Sequence, residues 1–336
     1  MKEKILFITC DRVKDTYGIT SGLFNSARFV VNFLSDKYES KLIPVTDSNQ
    51  IDKVVTEFKA DIVIIEALWV PPAKFEELLK IERHKNRKWI VRLHSKAPFL
   101  ANEGIATRWI KQYASINDLK IEIAPNTTEL TEQLTYCFPT GKFIFLPNIY
   151  KAKKFTPEKH VKSDDFVDIG SFGAIRPMKN TYQQAMAAID FSEQINKTLR
   201  FHINGTRVEQ SGDNVLRNIQ ALFENSEHEL IEHRWYKHAE FLETASKMDI
   251  GMQVSFSESF NIVTADFVTA KVPIVASDDI SWMPWIMRVS PTSHKGIVRK
   301  LKFAYKYRGF ITWLQTFNLK IYNIKAKLQW LLKLKN

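Results

Sequence analysis

The stretch SFSESFNIVTADFVTAKVPIVAS, residues 255 to 277, has the pattern of a turn, a helix, a second turn and a buried strand. The final run VPIVAS is short and apolar, as expected for a strand covered on both faces of its sheet. Two acids, Glu258 and Asp266, are predicted to lie at the two ends of the helix, where a purely structural segment needs neither. A helix that leads directly into a buried strand favours an α/β fold with a parallel sheet.

The rest of the chain repeats this alternation of helices and short apolar strands. A first series of predicted strands is KILFITC (4–10), SKLIPV (40–45), DIVIIEAL (61–68), KWIVRLH (88–94), IEIAP (121–125) and FIFLPN (143–148). A second series is FVDIGSFG (166–173), LRFHING (199–205), HELIEHRW (228–235), MDIGMQVS (248–255) and VPIVAS (272–277). Helical patterns such as residues 21–37 separate the strands. The order predicts two α/β units that meet near a basic, proline-containing stretch at 151–165.

Length and composition agree with two domains and exclude several classes of protein. A chain of 336 residues, 45% of them hydrophobic, is long enough for two cores. The two cysteines, Cys10 and Cys137, are too few for a disulfide framework and favour a reducing compartment. The start MKEKILFITC lacks a secretory apolar region, and no stretch reaches the length of a spanning helix. We therefore expect a cytoplasmic protein, in the host cytoplasm if it is viral.

The positive charge is concentrated at the end of the chain. Of the 48 Lys and Arg residues, twelve lie between residues 281 and 336, a segment without acids, which leaves 36 basic and 37 acidic residues in the rest. Such a distribution is typical of a surface that meets a polyanion, either nucleic acid or anionic lipid.

Ligands of open parallel sheets bind beyond the carboxyl ends of the strands, so the residues just after each strand are the candidate site. Gly18 and Gly22 follow the first strand and precede a helix, where they are equally well explained as turn residues. His94 follows the strand at 88–93, and Arg176 and Lys179 follow the strand at 166–173.

Residues 255–277 resemble the E-x7-E segment of GT-B glycosyltransferases, especially the family 4 type. In that segment Ser-x-x-Glu-Gly-Phe leads into a helix with a second Glu and then into a strand that reads Pro-Val-Val-Ala-Ser. Glu258 matches the first acid, and Asp266 stands where the second Glu belongs. IGSFGAIRPMKN (169–180) resembles the phosphate loop of the family, and residues 236–255 resemble the run that precedes the E-x7-E turn. The resemblance covers most of residues 166–277.

The resemblance implies an α/β fold of two Rossmann-like doubly wound domains (GT-B) that face a cleft, and the charge pattern adds a basic C-terminal helical extension. We expect an N-terminal, acceptor-side domain at 1–150, a nucleotide-sugar domain at 151–290 and a basic amphipathic tail at 291–336. The expected reaction is transfer from a nucleotide sugar, UDP- or GDP-linked, to an acceptor hydroxyl, with retention of configuration. No cofactor and no metal ion are expected.

The resemblance also assigns roles to individual residues. Glu258 and His94 are expected to be catalytic and to contact the donor sugar. The donor-binding residues are expected to be Gly18, Gly22, Arg176, Lys179, Ser259, Phe260, Asn261, Ile262 and Asp266. Eight residues of helix rise about 12 Å, which suits the distance from a sugar ring to a ribose across a diphosphate. Besides Asp266, two further positions depart from the family, since Ala174 stands where an Arg is expected and Ser259 where a Gly is expected.

The tail decides which acceptor is expected. Its apolar residues Phe310, Leu314, Phe317, Ile321, Ile324, Leu328 and Leu331 recur every three or four positions, which predicts a helix packed on the body. DNA or membrane contacts are expected from Lys300, Lys302, Lys306, Arg308, Lys320, Lys325 and Lys327. The sequences of residues 92–104 and 171–180 most resemble phage-type members of the group, some of which glycosylate hydroxymethylated bases of their own DNA. A membrane glycolipid or lipopolysaccharide precursor is the alternative acceptor, and a non-catalytic sugar-nucleotide or DNA-binding protein is a third possibility.

Overall fold

The two predicted series of strands form two separate parallel sheets. The computed structural model describes residues 2–10, 22–116, 121–151, 155–157, 161 and 163–335. The chain divides into unit 1, which comprises Met1–Lys151 and Asn323–Asn336, and unit 2, which comprises Ala152–Tyr322.

Unit 1 contains a five-stranded sheet in the order β2-β1-β3-β4-β5. Its strands are β1 (Lys4–Cys10), β2 (Glu39–Val45), β3 (Ile62–Glu66), β4 (Lys88–Leu93) and β5 (Ile121–Pro125). The helices are α1 (Gly22–Leu34), α2 (Ile51–Phe58), α3 (Pro72–Lys80), α4 (Ala97–Leu100), α5 (Ala106–Ser115) and α6 (Thr128–Cys137). Every residue of β3 and β5 is buried, as expected when helices cover both faces of a parallel sheet.

Unit 2 contains a six-stranded parallel sheet in the order β11-β10-β9-β6-β7-β8. Its strands are β6 (Phe166–Gly170), β7 (Thr198–Ile203), β8 (Glu229–Glu232), β9 (Ile250–Gln253), β10 (Ile274–Ser277) and β11 (Arg288–Val289). The helices are α7 (Thr181–Glu193), α8 (Gly212–Phe223), α9 (His238–Ser246), α10 (Ile262–Thr269) and α11 (His294–Lys306). The predicted fold class, two α/β units with parallel sheets, is thus confirmed.

The predicted strand FIFLPN at 143–148 is wrong. The segment runs beside β5, where the amides of Ile144 and Leu146 donate to the carbonyl groups of Ile123 and Pro125, each at 3.0 Å. Pro147 has no N–H group and ends this pairing, so the segment forms only an isolated bridge at Phe143.

The last helix, α12 (Arg308–Leu334), contributes its first part to unit 2 and its last turns to unit 1. Its buried face consists of Ile311, Gln315, Leu319, Ala326, Trp330 and Leu334. The expected packing of the predicted apolar stripe is wrong for Phe310, Phe317, Ile321, Ile324 and Leu328, which are exposed. The helix is apolar on two opposite faces, and residue spacing alone does not tell which of them packs.

Two side-chain amides explain why the apolar pattern of the sequence did not predict the buried face of α12. The Gln315 side chain donates to the carbonyl of Ile274 at 2.7 Å and accepts from the amide of the same residue at 3.3 Å, at the start of β10. In unit 1 the Asn323 side chain makes the same two-sided contact with the backbone of Tyr150, at 2.8 and 2.9 Å. Polar residues that satisfy backbone groups are therefore part of a packed face.

None of the helices in the described part of the chain is long and apolar enough to span a bilayer.

Candidate functional site

The candidate site of unit 2 is built by two loops that leave the same edge of its sheet. Strands β6 and β9 are parallel neighbours, with Gly170 paired to Gly251. The loop after β6 ends in a short 3-10 helix, Pro177–Lys179, and the loop after β9 runs from residue 254 to residue 261. Both loops therefore start at the carboxyl ends of adjacent strands, where open α/β sheets bind ligands.

An ion pair joins the tips of the two loops. The Lys179 ammonium donates a hydrogen bond to Oε1 of Glu258, and only 16% and 10% of the two side chains are exposed. The Glu258 backbone amide also donates to Oδ2 of Asp279, which follows β10, at 2.9 Å. The structure thus brings together a cation and an acid that the sequence assigned to the donor, and fixes the acid through its backbone.

Buried side-chain amides hold the Lys179 loop against the Glu258 loop. The Asn180 amide donates to the Val254 carbonyl at 3.1 Å and to the Pro291 carbonyl at 2.9 Å. The Gln184 amide donates to the Lys179 carbonyl at 2.8 Å, and its oxygen accepts from the Val254 amide at 3.0 Å. Because these contacts are buried and shared between the loops, they hold the ion pair in one geometry.

Glu258 and Asp266 do not lie at the two ends of one helix, and that prediction is wrong. Helix α10 begins at Ile262, so Glu258 lies in the preceding loop and Asp266 in the middle of the helix. Asn261 has a φ of 60° and accepts from the Thr264 amide at 2.8 Å, which caps the helix and ends the loop. The helical rise of about 12 Å between the acids is lost, because the residues from Glu258 to Asn261 are not helical.

Asp266 is buried and hydrogen-bonded to a residue that the sequence analysis did not include in the site. Nε2 of His238, the first residue of α9, lies 2.7 Å from Oδ1 of Asp266. His238 is itself partly buried. The pair fixes α9 to α10 just behind the Glu258 loop.

Arg176 faces an acid of unit 2 rather than Glu258. Nη1 of Arg176 lies 3.6 Å from Oε2 of Glu209, and Oε1 of Glu209 accepts from Nε of Arg207 at 2.6 Å. The Arg207 guanidinium stacks on Trp235, with its central carbon 4.3 Å from the ring centroid. Upstream of Arg176, Gly173 has a φ of 123°, which favours glycine, and its amide donates to the Asn204 side chain at 2.9 Å.

The remaining predicted donor residues have different surroundings. Phe260 is buried and packs against Trp282 and Tyr322, with ring centroids 5.5 and 5.2 Å away. Ser259 and Ile262 are half-buried, and Asn261 is the helix cap. Gly22 is the first residue of α1, whereas Gly18 lies outside the described residues.

Two serine hydroxyls beside Glu258 lack a hydrogen-bond partner in the described part of the chain. The hydroxyl groups of Ser255 and Ser257 are buried and have no hydrogen-bond partner among the described residues. A buried hydroxyl without a partner carries a desolvation cost that a bound polar ligand removes.

His94 lies in unit 1, directly after β4. Its Nε2 lies 2.5 Å from Oε2 of the fully buried Glu66, which also accepts from Nη1 of Arg92 at 3.0 Å. Burial lowers the pKa of His94, and the charge of Glu66 only partly opposes this. Burial raises the pKa of Glu66, but the charges of Arg92 and His94 outweigh it, so the net shift is downward. A neutral imidazole beside an ionised carboxylate is the arrangement expected for a histidine that donates from Nε2.

The basic residues of the tail divide into engaged and exposed ones. The Lys300 ammonium donates to the Ile286 carbonyl at 2.6 Å, and Arg308 donates to the Asp249 carbonyl at 2.5 Å. Lys327 lies 5.3 Å from the ring centroid of Phe33. The remaining members of the predicted contact set are exposed, namely Lys302, Lys306, Lys320 and Lys325.

Sequence reasoning missed Glu66, Asp279 and His238. Asp279 stands just after β10, so the rule that selected His94 would have selected it too. Glu66 ends β3 but lies inside the predicted strand 61–68, so the same rule passes over it. No local pattern marks His238, whose contact with Asp266 depends on how α9 packs on α10. Within the described residues, no group of three or more His, Cys, Asp or Glu side chains is arranged to hold a metal ion.

No model of a known protein family and no curated protein matches the sequence. Solved structures do match over nearly the whole chain. The sucrose-phosphate synthase of Thermosynechococcus elongatus gives a TM-score of 0.72 at 11% identity, over 99% of this chain and 98% of that one. The trehalose-6-phosphate synthase OtsA gives 0.71 at 10% identity, over 99% of both chains. A UDP-forming trehalose-phosphate synthase of Burkholderia xenovorans gives 0.65 at 13% identity, over 100% of this chain and 99% of that one.

These likenesses define the class of fold. The chain has the two parallel-sheet α/β units of GT-B glycosyltransferases, as the resemblance of residues 166–277 implied. At 10 to 13% identity the likeness shows the fold alone.

Proposed function

We propose that the protein is a glycosyltransferase that moves a sugar from a nucleoside diphosphate to an acceptor hydroxyl. The observation that supports this best is the Lys179–Glu258 pair, which offers a cation for phosphate and an acid for sugar hydroxyls at the carboxyl ends of β6 and β9. The hydroxyls of Ser255 and Ser257, which have no partner among the residues that the structure describes, add polar groups beside it. A solved structure of the same fold is named as a UDP-forming synthase, which favours a UDP-linked donor.

The proposed step needs only side chains of the protein. The bond between the anomeric carbon and the diphosphate oxygen breaks, and its electron pair leaves with the nucleoside diphosphate. The acceptor oxygen forms the new bond to the anomeric carbon and gives its proton to the departing diphosphate oxygen, with retention at the anomeric carbon. Lys179 stabilises the charge that grows on the leaving oxygen, which is the largest electrostatic demand of this reaction. Glu258 holds the sugar hydroxyls, and His94 remains a predicted contact of the donor sugar.

The tail offers support for each of the two candidate acceptor classes. A hydroxymethylated base in phage DNA needs a basic clamp, yet Lys300 and Arg308 bind backbone carbonyl groups. Lys302 and Lys306 are exposed and keep DNA as the second candidate. The outer face of α12 is apolar, which supports a membrane glycolipid or lipopolysaccharide precursor as the first candidate.

The transferase proposal is tested by incubating the protein with a panel of nucleotide sugars. Acceptors are hydroxymethylcytosine DNA in one arm and a bacterial lipid extract in the other, with mass spectrometry of nucleosides and lipids. We expect a sugar-sized mass gain on one acceptor class, an unchanged anomeric configuration by NMR, and full activity in EDTA. Activity that disappears in EDTA and returns with manganese would contradict the metal-free mechanism. Nucleotide binding without turnover of any donor would support the non-catalytic alternative instead.

The Glu258→Gln variant tests the role of the acid. We expect turnover to fall by about two to three orders of magnitude, because the neutral amide no longer holds the sugar hydroxyls as a carboxylate does. Binding of the nucleoside diphosphate should be at least as tight as in the unmodified protein, measured by calorimetry. The control is Glu243→Gln, an exposed acid of α9, which should leave turnover unchanged. Loss of nucleotide binding in Glu258→Gln would mean that the role is misassigned.

A further inference from the structure

The face of α12 opposite its buried face carries a continuous line of large apolar side chains. The members of this outer stripe are Phe310, Trp313, Phe317, Ile321, Ile324, Leu328 and Leu332. Between 36 and 61% of each of these residues is exposed. Their spacings of three and four residues keep them on one side of a continuous helix over about 33 Å. An exposed apolar surface of this extent marks a docking site rather than ordinary surface.

Aromatic rings concentrate at the start of the outer stripe. The rings of Phe310 and Trp313 are stacked with centroids 6.3 Å apart, and those of Trp313 and Phe317 are stacked at 5.8 Å. About half or more of each of these three residues is nevertheless exposed. Trp and Phe are the residues that amphipathic helices place at the boundary between lipid headgroups and acyl chains.

Basic side chains border the outer stripe on both sides. Lys320 precedes Ile321 and Lys325 follows Ile324, and since successive helical residues are about 100° apart, the two lysines flank the stripe from opposite directions. Both lysines are exposed. The helix as a whole has five basic residues and no acid. An apolar line bordered by lysines is complementary to a surface with an apolar interior and negatively charged headgroups.

We propose that α12 docks the protein on an anionic lipid surface, with the outer stripe inserted among the acyl chains and Lys320 and Lys325 at the headgroups. Docking needs none of the residues of the donor site, so this proposal and the proposed transferase can fail separately. It deepens the transferase proposal only in the acceptor, since a docked enzyme meets acceptors that lie in the same membrane.

Two other occupants fit the surface less well. A second copy of the chain would bring one lysine-bordered helix against another, and like charges at close range oppose such pairing. DNA would meet the lysines but leave the apolar stripe in water, because phosphates and sugars offer it no apolar partner.

The experiment is sedimentation of the full chain with vesicles of phosphatidylcholine, either alone or with about a third of phosphatidylglycerol. We expect the protein to sediment with the anionic vesicles and to remain in solution with the neutral ones. The variant Lys320→Gln/Lys325→Gln should bind anionic vesicles more than tenfold more weakly, about fivefold per lysine. Added salt should weaken binding of the unmodified protein and narrow this difference.

The apolar part is tested with Trp313→Ser/Phe317→Ser/Ile324→Ser, three substitutions at exposed positions that should leave thermal unfolding unchanged. We expect about a thousandfold loss of vesicle binding, because each of the three inserted side chains contributes about tenfold. The matched control is Tyr136→Ser on α6, whose side chain is also exposed and should leave binding unaltered. If the triple variant did not fold, the lysine variant and the unmodified protein would still decide the question.

Several outcomes would overturn the proposal. The protein could stay in solution with anionic vesicles, or bind neutral ones equally well. The triple variant could bind vesicles as the unmodified protein does. Light scattering could show a dimer that the triple variant converts to a monomer, which would make a second copy the occupant. Fluorescence anisotropy could show that the lysine variant loses affinity for a DNA duplex and not for vesicles, which would make DNA the partner.

Discussion

At the scale of single residues, Lys179 is the cation that the two site loops hold in place. Its ammonium contacts Glu258, and its carbonyl accepts from Gln184 at 2.8 Å. The Lys179→Met variant should weaken binding of a nucleoside diphosphate about tenfold, because one charge-assisted contact to phosphate is lost. Calorimetry with UDP and GDP measures this. Lys247→Met, an exposed lysine of the same unit, is the control and should bind normally. Equal affinities in both variants would exclude Lys179 from the phosphate site.

His233 gives the protein a pH-dependent stability. It lies in a chain of hydrogen bonds from Asp168 through His202 and His233 to Tyr236, with each link at 2.8 Å. Burial first, and then the charge of His202, lowers the pKa of His233 to about 4, well below the ordinary value near 6.5. Between these values the unfolded chain binds more protons than the folded one. Stability therefore falls as the pH falls from about 6.5 to about 4.

The expected change is about 1 to 2 kcal/mol of unfolding free energy between pH 7 and pH 5. Urea unfolding at the two pH values measures it. His233→Gln should reduce the difference, whereas Tyr236→Phe, which removes a partner that does not titrate in this range, should keep it. An identical pH dependence in His233→Gln would show that another group is responsible.

Site residues could be predicted from the sequence where their type and their position after a strand match a known motif. Glu258 and Lys179 follow strands and match a motif, and the structure brings them together. Phe260 matched the same motif but packs against Trp282 and Tyr322. A motif specifies that a side chain is present, while its direction depends on the neighbours that tertiary packing supplies.

At the scale of elements, the Phe267 ring of α10 packs directly over Gly251 of the sheet in unit 2. A Cβ atom at Gly251 of β9 would lie 2.7 Å from Phe267 of α10, closer than real Cβ contacts come. Gly251→Ala should therefore push α10 away, cost about 1 to 3 kcal/mol of stability and weaken nucleotide binding at the adjoining loop. Chemical denaturation and calorimetry measure the two effects. At Gly104 an added Cβ meets nothing within 4 Å, so Gly104→Ala is the control. A Gly251→Ala variant as stable as this control would show that the helix has room to move.

Strands were predictable because each is a short run of buried apolar residues, and the observed β1, β4 and β5 begin where the pattern places them. The start of α10 was not predictable. The sequence places Ser259 and Phe260 in the helix, but Asn261 adopts a left-handed conformation and the helix begins only after it. Such a conformation is set by the hydrogen bond of Asn261 to Gln253, at 2.8 Å, which joins residues from a strand and a loop. The local sequence around Asn261 does not indicate this contact, because Gln253 lies on a different element.

At the scale of the whole molecule, the end of the chain completes the fold of its beginning. Trp330 of α12 is fully buried in unit 1, donates from its indole to the Pro147 carbonyl at 2.7 Å, and lies 6.0 Å from Phe7 and 5.1 Å from the Arg92 guanidinium carbon. Trp330→Ala should destabilise unit 1 by about 3 to 5 kcal/mol. Denaturant unfolding measures the loss. On the outer face of the same helix, Trp313→Ala should cost less than about 0.5 kcal/mol. Similar losses in the two variants would contradict the assignment of the two faces.

The sequence predicted a helix in this region but not which side of it is covered. Both sides repeat apolar residues at helical spacing, and Gln315 made the covered side look more polar than it is. Only the partner surface distinguishes the two sides, and that surface comes from residues far away in the chain, such as Ile274 and Pro147.

The contact between Lys179 and Glu258 makes the site selective for ligands that carry both a phosphate and a sugar. With no donor bound, Glu258 occupies Lys179 as a tethered competitor, at an effective concentration that no free anion in solution reaches. A phosphate or a nucleotide alone has to displace the carboxylate and leaves it half-buried without its cation. A nucleotide sugar gives Lys179 a phosphate and Glu258 the sugar hydroxyls, so both groups exchange one partner for another. We therefore expect the protein to remain largely unoccupied by the nucleotides of the cell and to fill only with molecules that carry both parts.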